Sequence, residues 1–297
     1  MREHATEIID GIYKVEREIA GLSDIFTVYF IKENSMGAII DPGPGALIPT
    51  IRATANELNI TDIQYIIPTH IHMDHGGASG KLAGIFSQAG VVTNSQGVKH
   101  LIDPSRLIRS TRMSFGDDFE TTWGSIEPVP ESRIKVVKDQ QKLSLDGRDL
   151  ICFEAPGHAP HHIAVFDTRS GGLFCGEALG LIYNPGTVPL PAAAPPSFDI
   201  EVYIETMERL KALPLKFLFY AHGGMSTEPE ESISVAIENV KIIGELILQT
   251  LKTSPEAAAA SIIDDYIKQR FGVDLGEYSL LNNIAGFGGY YKKKGLL

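Results

Sequence analysis

Cysteine is scarce in this chain of 297 residues: Cys152 and Cys175 are the only two. Two thiols cannot build the disulfide framework on which small secreted domains depend. Long apolar runs are missing as well. The nearest approach, IIGELILQTL at 242–251, is broken by Glu245 and Gln249, whereas a membrane span needs about 18 apolar residues without interruption. Positive charge is in short supply: the net formal charge is −11, and the one basic run, KKK at 292–294, is short and reads as a solvated tail. A surface that tracks phosphates needs a basic stripe, so nucleic acid is not expected as a partner. The opening MREHATEIIDG carries no apolar core of the kind a secretory signal requires. The expectation is a cytoplasmic protein with a small-molecule substrate and no membrane partner.

What the chain does contain is enough apolar material, 43% of its residues, for a substantial core. Short β-rich runs come first: GIYKVE (11–16), TVYFIK (27–32) and GAIID (37–41). A DPGPG turn, a helical spacing in LIPTIRATANEL and a strand IQYIIPT (63–69) follow. A second helix is expected over GGASGKLAGIFSQAG, then a strand VVTN. The pattern repeats through RIKVV, KLSL, DLICFE, HIAVFD and GLFC, a helix DIEVYIETMERLKAL and a strand KFLFYAH. Strands closed by helices, twice over, predict two sheets packed face to face with helices outside, a four-layer αββα sandwich of the α/β (α+β) class. The proline-rich PGTVPLPAAAPP (185–196) reads as an ordered surface loop.

Histidine is concentrated rather than abundant. Of nine, three fall with an aspartate inside IIPTHIHMDHGG: His70, His72, Asp74 and His75. The cluster sits between a strand and a helix. In an extended segment His70 and His72 point the same way, while Asp74 and His75 reach another point in space. One stretch can therefore serve two metal positions, though each cation needs about four donors. Further donors stand at later strand ends: His158 in APGHAPHH, Glu177 in LFCGEALG and His222 in FYAHGG.

The H-x-H-x-D-H signature, followed in order by a histidine, an acidic residue and a histidine, resembles the metallo-beta-lactamase superfamily. The resemblance implies two divalent metal ions, zinc foremost, with iron or manganese as alternatives. His70, His72 and His158 would hold the first, and Asp74, His75 and His222 the second. Glu177 stands where the family usually has a bridging aspartate; bridging is favoured over binding one metal or swinging away. Asp41 matches an aspartate that supports the ligands from below, although a turn former ahead of Pro42 is an equal reading. Such a centre, with two carboxylates and a bridging hydroxide, keeps a charge of about +1 and hydroxide near neutral pH. The implied reaction is hydrolysis of an ester, thioester, lactone or phosphodiester, with Asp74 as the catalytic proton carrier.

His75 and Glu177 differ from the pattern expected of antibiotic-hydrolysing zinc enzymes, and the basic motif of glyoxalase II is missing. Two other classes share the fold: iron redox proteins that reduce oxygen or nitric oxide or oxidise persulfides, and metal-dependent sensing modules. His161 is either a support for the ligands or exposed, and His162 opens the next strand. His4 and His100 read as structural or solvated, and Cys175 as a buried inert thiol. Tyr183 either hydrogen-bonds an oxyanion or packs. The chain is expected to form a single domain, 1–297, with an inserted helical lid at about 104–130 and a helical extension at about 253–297; a peripheral hairpin is the alternative to the lid. Phe271, Tyr278, Leu280, Leu281, Phe287, Tyr290 and Tyr291 in that extension suggest a homodimer contact.

Overall fold

A computed structural model describes residues 5–18, 25–183 and 188–297. The first sheet takes its strands in chain order: β1 (Thr6–Ile9), β2 (Ile12–Glu18), β3 (Ile25–Glu33), β4 (Met36–Ile40), β5 (Asp62–Ile67), β6 (Gly90–Thr93) and β7 (Ile134–Val136). Hairpins join the first four antiparallel; from β4 onward the pairing is parallel. Helices α1 (Ile48–Glu57), α2 (Met73–Gly76), α3 (Ser79–Ile85), α4 (Val98–Ile102), α5 (Ser105–Phe115) and α6 (Phe119–Trp123) occupy the crossovers. The second sheet contains β8 (Gln141–Leu145), β9 (Arg148–Glu154), β10 (Ile163–Asp167), β11 (Gly172–Gly176), β12 (Phe217–Tyr220) and β13 (Met225–Ser226), ordered from β13 at one edge to β8 at the other. Helices α7 (Ile200–Lys211), α8 (Pro229–Thr253), α9 (Glu256–Phe271) and α10 (Gly276–Lys293) complete the chain.

Period-two alternation divides the apolar residues among three layers. On β3, Tyr29 and Ile31 face the second sheet, while Val28 and Phe30 face α1, α3 and α6. On β10, Ile163 and Val165 point inward and Ala164 and Phe166 pack toward the C-terminal helices. Tyr29, Phe174 and Phe219 meet between the sheets with ring centroids 4.7–5.7 Å apart. The result is the expected αββα sandwich. At one end the sheets join, because Thr27 N–H donates to Ala221 O at 2.9 Å and Ile163 N–H to Thr69 O at 2.7 Å.

Three expectations need correction. The helix expected to begin at Gly76 begins at Met73, breaks after Gly76 and resumes at Ser79. His72 is extended (φ −56°, ψ 152°) and its carbonyl accepts from the N–H groups of His75 and Gly76, so the helical turn starts inside the histidine cluster. The proline-rich loop is only partly a surface feature: residues 189–193 are buried, with Ala193 beside Asn283, while Val188, Pro195 and Pro196 are exposed, and its residues 185–187 lie outside the described residues. In the extension, Leu280, Phe287, Tyr290 and Tyr291 are buried within this chain among α7, α8 and β11 side chains, leaving Tyr278 and Leu281 exposed. The apolar surface offered as grounds for a homodimer is therefore mostly consumed internally.

Candidate metal centre

Most of the expected donors lie within a few residues of a strand's last position, and Asp74 and His75 sit on the short helix α2. Asp41 follows β4, His70 follows β5, His158 follows β9, Glu177 follows β11 and His222 follows β12. A strand end fixed by its ladder holds a side chain more firmly than a free loop. Two glycines permit the tight approach. Gly176, with φ of 53°, would bring a Cβ within 2.4 Å of Thr69 Oγ1; at Gly223 (φ 86°) a Cβ would meet Ile182 O at 1.6 Å.

The donors form two overlapping groups, His70, His72, His158 and Glu177 in one, Asp74, His75, His222 and Glu177 in the other, each with its atoms within 4.8 Å of one another. In the first, His72 Nδ1 lies 2.9 Å from His70 Nε2 and 3.1 Å from His158 Nε2. Glu177 Oε2 lies 2.7 Å from His158 Nε2 and 3.3 Å from His70 Nε2. In the second, His75 Nε2 is 3.4 Å from both His222 Nε2 and Asp74 Oδ2, and His222 Nε2 is 3.6 Å from Asp74 Oδ2. The two oxygens of Glu177 stand 3.9 Å from His75 Nε2 and His222 Nε2. Four donors at zinc-like bond lengths on a tetrahedral ion would be about 3.3 Å apart. Both groups fit.

Hydrogen bonds on the far side of the rings support this fit by setting which nitrogen carries the proton. His158 Nδ1 donates to Ala192 O at 2.7 Å, turning an unprotonated Nε2 toward the centre. Asp41 Oδ1 accepts from Thr69 N–H and from Thr69 Oγ1, both at 2.8 Å, which leaves that hydroxyl to accept from His70 Nδ1 at 3.2 Å. Asp41 Oδ1 also lies 3.4 Å from His75 Nδ1. Asp41 thus does more than shape its turn: buried at φ 47°, it anchors the PTH backbone and orients two imidazoles.

Charge is distributed unevenly. Burial, then repulsion from His158, pushes His72 down to about 4, and burial with four neighbouring histidines holds His70 well below its ordinary value. Both rings stay neutral, with lone pairs available. Burial opposes charge at the second group too, yet Asp74 and Asp41 together hold His75 well above the imidazole range. Burial would likewise raise Asp74 and Glu177, but His75 and His222 depress the first and His158 the second. The position attracts positive charge, which is the property a cation site needs.

Of the other residues singled out in the sequence, His161 is buried, stacks 6.3 Å from the His70 ring and is pushed down to about 2 by burial and then by His72. His100 is near it, with ring centroids 6.0 Å apart; His4 lies outside the described residues. Tyr183 lines the cavity above the donors and packs on the second core layer. Cys175 faces away, its thiol donating to Phe219 O at 3.3 Å.

Sequence reasoning missed three residues that hold the donors. His162 does more than open β10: its Nε2 accepts from Glu177 N–H at 3.1 Å. Tyr203 on α7 donates its hydroxyl to Glu177 O at 2.6 Å. Together they clamp the Glu177 backbone from both sides. Thr69 links Asp41 to His70. The PTH and APHH strings marked Thr69 and His162 as near the site, but nothing local marks Tyr203.

A cavity of about 350 Å³ opens above the donors. Its roof comes from the 104–130 segment and from α10. Phe119 and Trp123 are buried against the first core layer, Phe115 packs beside them, and Met113 is 88% exposed at the rim.

A metallo-beta-lactamase superfamily model matches residues 27–222, from β3 to the last donor, His222. The chain belongs to that superfamily. Over 258 residues it is 24% identical to the metallo-beta-lactamase fold-containing protein ST1585 of Sulfurisphaera tokodaii, covering 82% of this chain and 94% of that protein. The crystal structure of ST1585 aligns with a TM-score of 0.67 over 96% of this chain and all 100% of that one. A metallo-beta-lactamase family protein of Thermus thermophilus gives a TM-score of 0.71 at 20% identity, covering 96% and 94% of the two chains. Hydroxyacylglutathione hydrolase of Rhodospirillum rubrum is 26% identical over 224 residues, 74% of this chain and 70% of that protein. The likenesses to solved structures establish the fold.

Proposed function

We propose that this protein is a dinuclear metal-dependent hydrolase of an ester, thioester, lactone or phosphodiester. The observation that carries the reading is the pair of donor groups sharing Glu177. His70, His72 and His158 would hold the first ion, Asp74, His75 and His222 the second, with Glu177 reaching both. Zinc suits the mixed imidazole and carboxylate set, as do iron and manganese. When bound, such ions supply Lewis acidity and make water a nucleophile near neutral pH.

The protein's own groups divide the remaining work. Asp74 is the most exposed carboxylate of the set, its side chain 29% accessible from the cavity side. It can take a proton from the attacking water and pass it to the leaving group. Water oxygen bonds to the acyl carbon or phosphorus, the bond to the leaving oxygen or sulfur breaks, one water proton ends on that atom and the other is released. Asp41, Thr69, His162 and Tyr203 keep the donors in place through the cycle.

The test is a substrate screen by bond type on zinc-loaded protein. Chelation should abolish turnover of one class and zinc should restore it. Turnover that survives complete chelation would rule out this reading.

A further inference from the structure

Among the described residues that line it, the cavity is uncharged apart from the donor set. Helix α5 carries three arginines, Arg106, Arg109 and Arg112, yet the stripe it turns to the cavity is Leu107, Ser110, Thr111 and Ser114, the i, i+3, i+4, i+7 face. Arg112 is instead near Asp117, at 3.5 Å. Helix α10 lies beyond the region matched by the family model and contributes Tyr278, Ser279, Asn282 and Asn283. An aromatic wall climbs from donor to roof: His222 to Phe26 at 5.2 Å, Phe26 to Trp123 at 5.8 Å, Trp123 to Phe115 at 4.9 Å and Phe115 to Tyr278 at 4.8 Å. Among the described residues that line the cavity there is no lysine and no arginine, and the only carboxylates are Asp74 and Glu177.

We propose that the cavity selects substrates whose acyl portion is uncharged and largely apolar, and rejects those carrying an anionic group away from the bond to be cleaved. The inference rests on the hydrolase reading for which bond is cut, but not for what fills the roof. Positive charge can gather only at the floor, where the donors are. A carboxylate seated against the aromatic wall would lose its water with no cation to replace it, on a chain whose net charge is already −11. An alkyl or aryl group there would instead displace roughly a dozen waters' worth of volume from apolar walls. The hydroxyl and amide groups of α5 and α10 offer neutral hydrogen bonds, enough to orient an ester or amide group without demanding charge.

Two measurements on metal-loaded protein test this. The first compares kcat/KM for p-nitrophenyl hexanoate and for the p-nitrophenyl monoester of adipic acid, the same six-carbon acyl chain ending in a carboxylate. The uncharged ester should be favoured by about a hundredfold or more. Ser110→Arg, at an exposed position on the cavity face of α5, should shrink that ratio at least about tenfold by supplying the missing partner. Equal rates, or a preference for the adipate ester, would overturn the proposal. The second uses Trp123, the sole tryptophan of the sequence, as a reporter that needs no turnover: titration with hexan-1-ol should shift its emission saturably. An unchanged emission spectrum would overturn the proposal. A saturable shift with neither ester hydrolysed would remove the carboxylic-ester branch of the hydrolase reading and leave the cavity's preference for apolar groups standing; rapid hydrolysis favouring the anionic ester would do the reverse.

Discussion

Beneath the cavity, His70, His158 and His222 hang from strand ends and His75 sits on the short helix α2, and none is more than 5% exposed. Above it, α5 offers Met113 at 88% exposure and α10 offers Tyr278 at 44%. The floor is fixed by directional bonds: Asp41 through Thr69 to His70, Ala192 to His158, His162 and Tyr203 to Glu177. The roof is held by aromatic edges and helix packing. Directional bonds specify donor positions to tenths of an ångström, whereas apolar packing specifies shape and tolerates exchange. Metal binding and substrate choice should therefore separate when the two regions are altered in turn.

The largest effect is expected at the floor. His158→Ala should eliminate turnover and lower the metal content measured by elemental analysis, while circular dichroism remains that of a folded protein, because the three core layers do not depend on that ring. Next comes the support beneath the donors. Asp41→Asn weakens the contacts to Thr69 and His75 without touching the cavity, and metal affinity in a competition titration should fall about 10–100-fold.

Acid should act on the metal-free floor as well. His70, His72, His161 and His162 are all depressed, chiefly by burial. In the unfolded chain such rings protonate near 6.5. As the pH falls below that value the unfolded state binds protons that these folded rings refuse until about 4 for His72 and about 2 for His161, so stability drops. His75 and His222 are raised, and their contribution runs the other way, present below the unfolded value and lost as pH rises through the folded one. Depressed rings outnumber raised ones, so the urea midpoint of metal-free protein should be lower at pH 5 than at pH 7; an equal or higher midpoint would count against the burial of neutral imidazoles. The smallest effect belongs to the roof. Tyr278→Ala removes a half-exposed ring, so stability should change by less than about 1 kcal/mol and metal content not at all, while KM for a long acyl substrate rises a few-fold.

The floor was largely legible in the sequence because its information is local. Spacing in THIHMDH and the strand-end positions of His158, Glu177 and His222 name the donors, and the order of strand-rich and helical runs names the layers. The clamp on Glu177 was not legible: His162 and Tyr203 lie 15 and 26 residues from it, and a hydrogen bond between distant elements leaves no period. The roof was legible as helices but not as surface. Leu280, Ile284, Phe287 and Tyr291 follow an i, i+4, i+7, i+11 stripe that fits against α8, so residues read as surplus apolar area are core. The proline-rich loop was misread for a similar reason: its alanines are small enough to pass beneath α10, where Gly286 meets Ala193.

The central claim is that Glu177 completes two donor groups at once. Elemental analysis of protein saturated with zinc and freed of excess by gel filtration tests it most directly. Two ions per chain are expected in the parent protein and fewer in Glu177→Ala, with the fold unchanged. One ion per chain in the saturated parent would contradict the account and leave a mononuclear site on His70, His72 and His158.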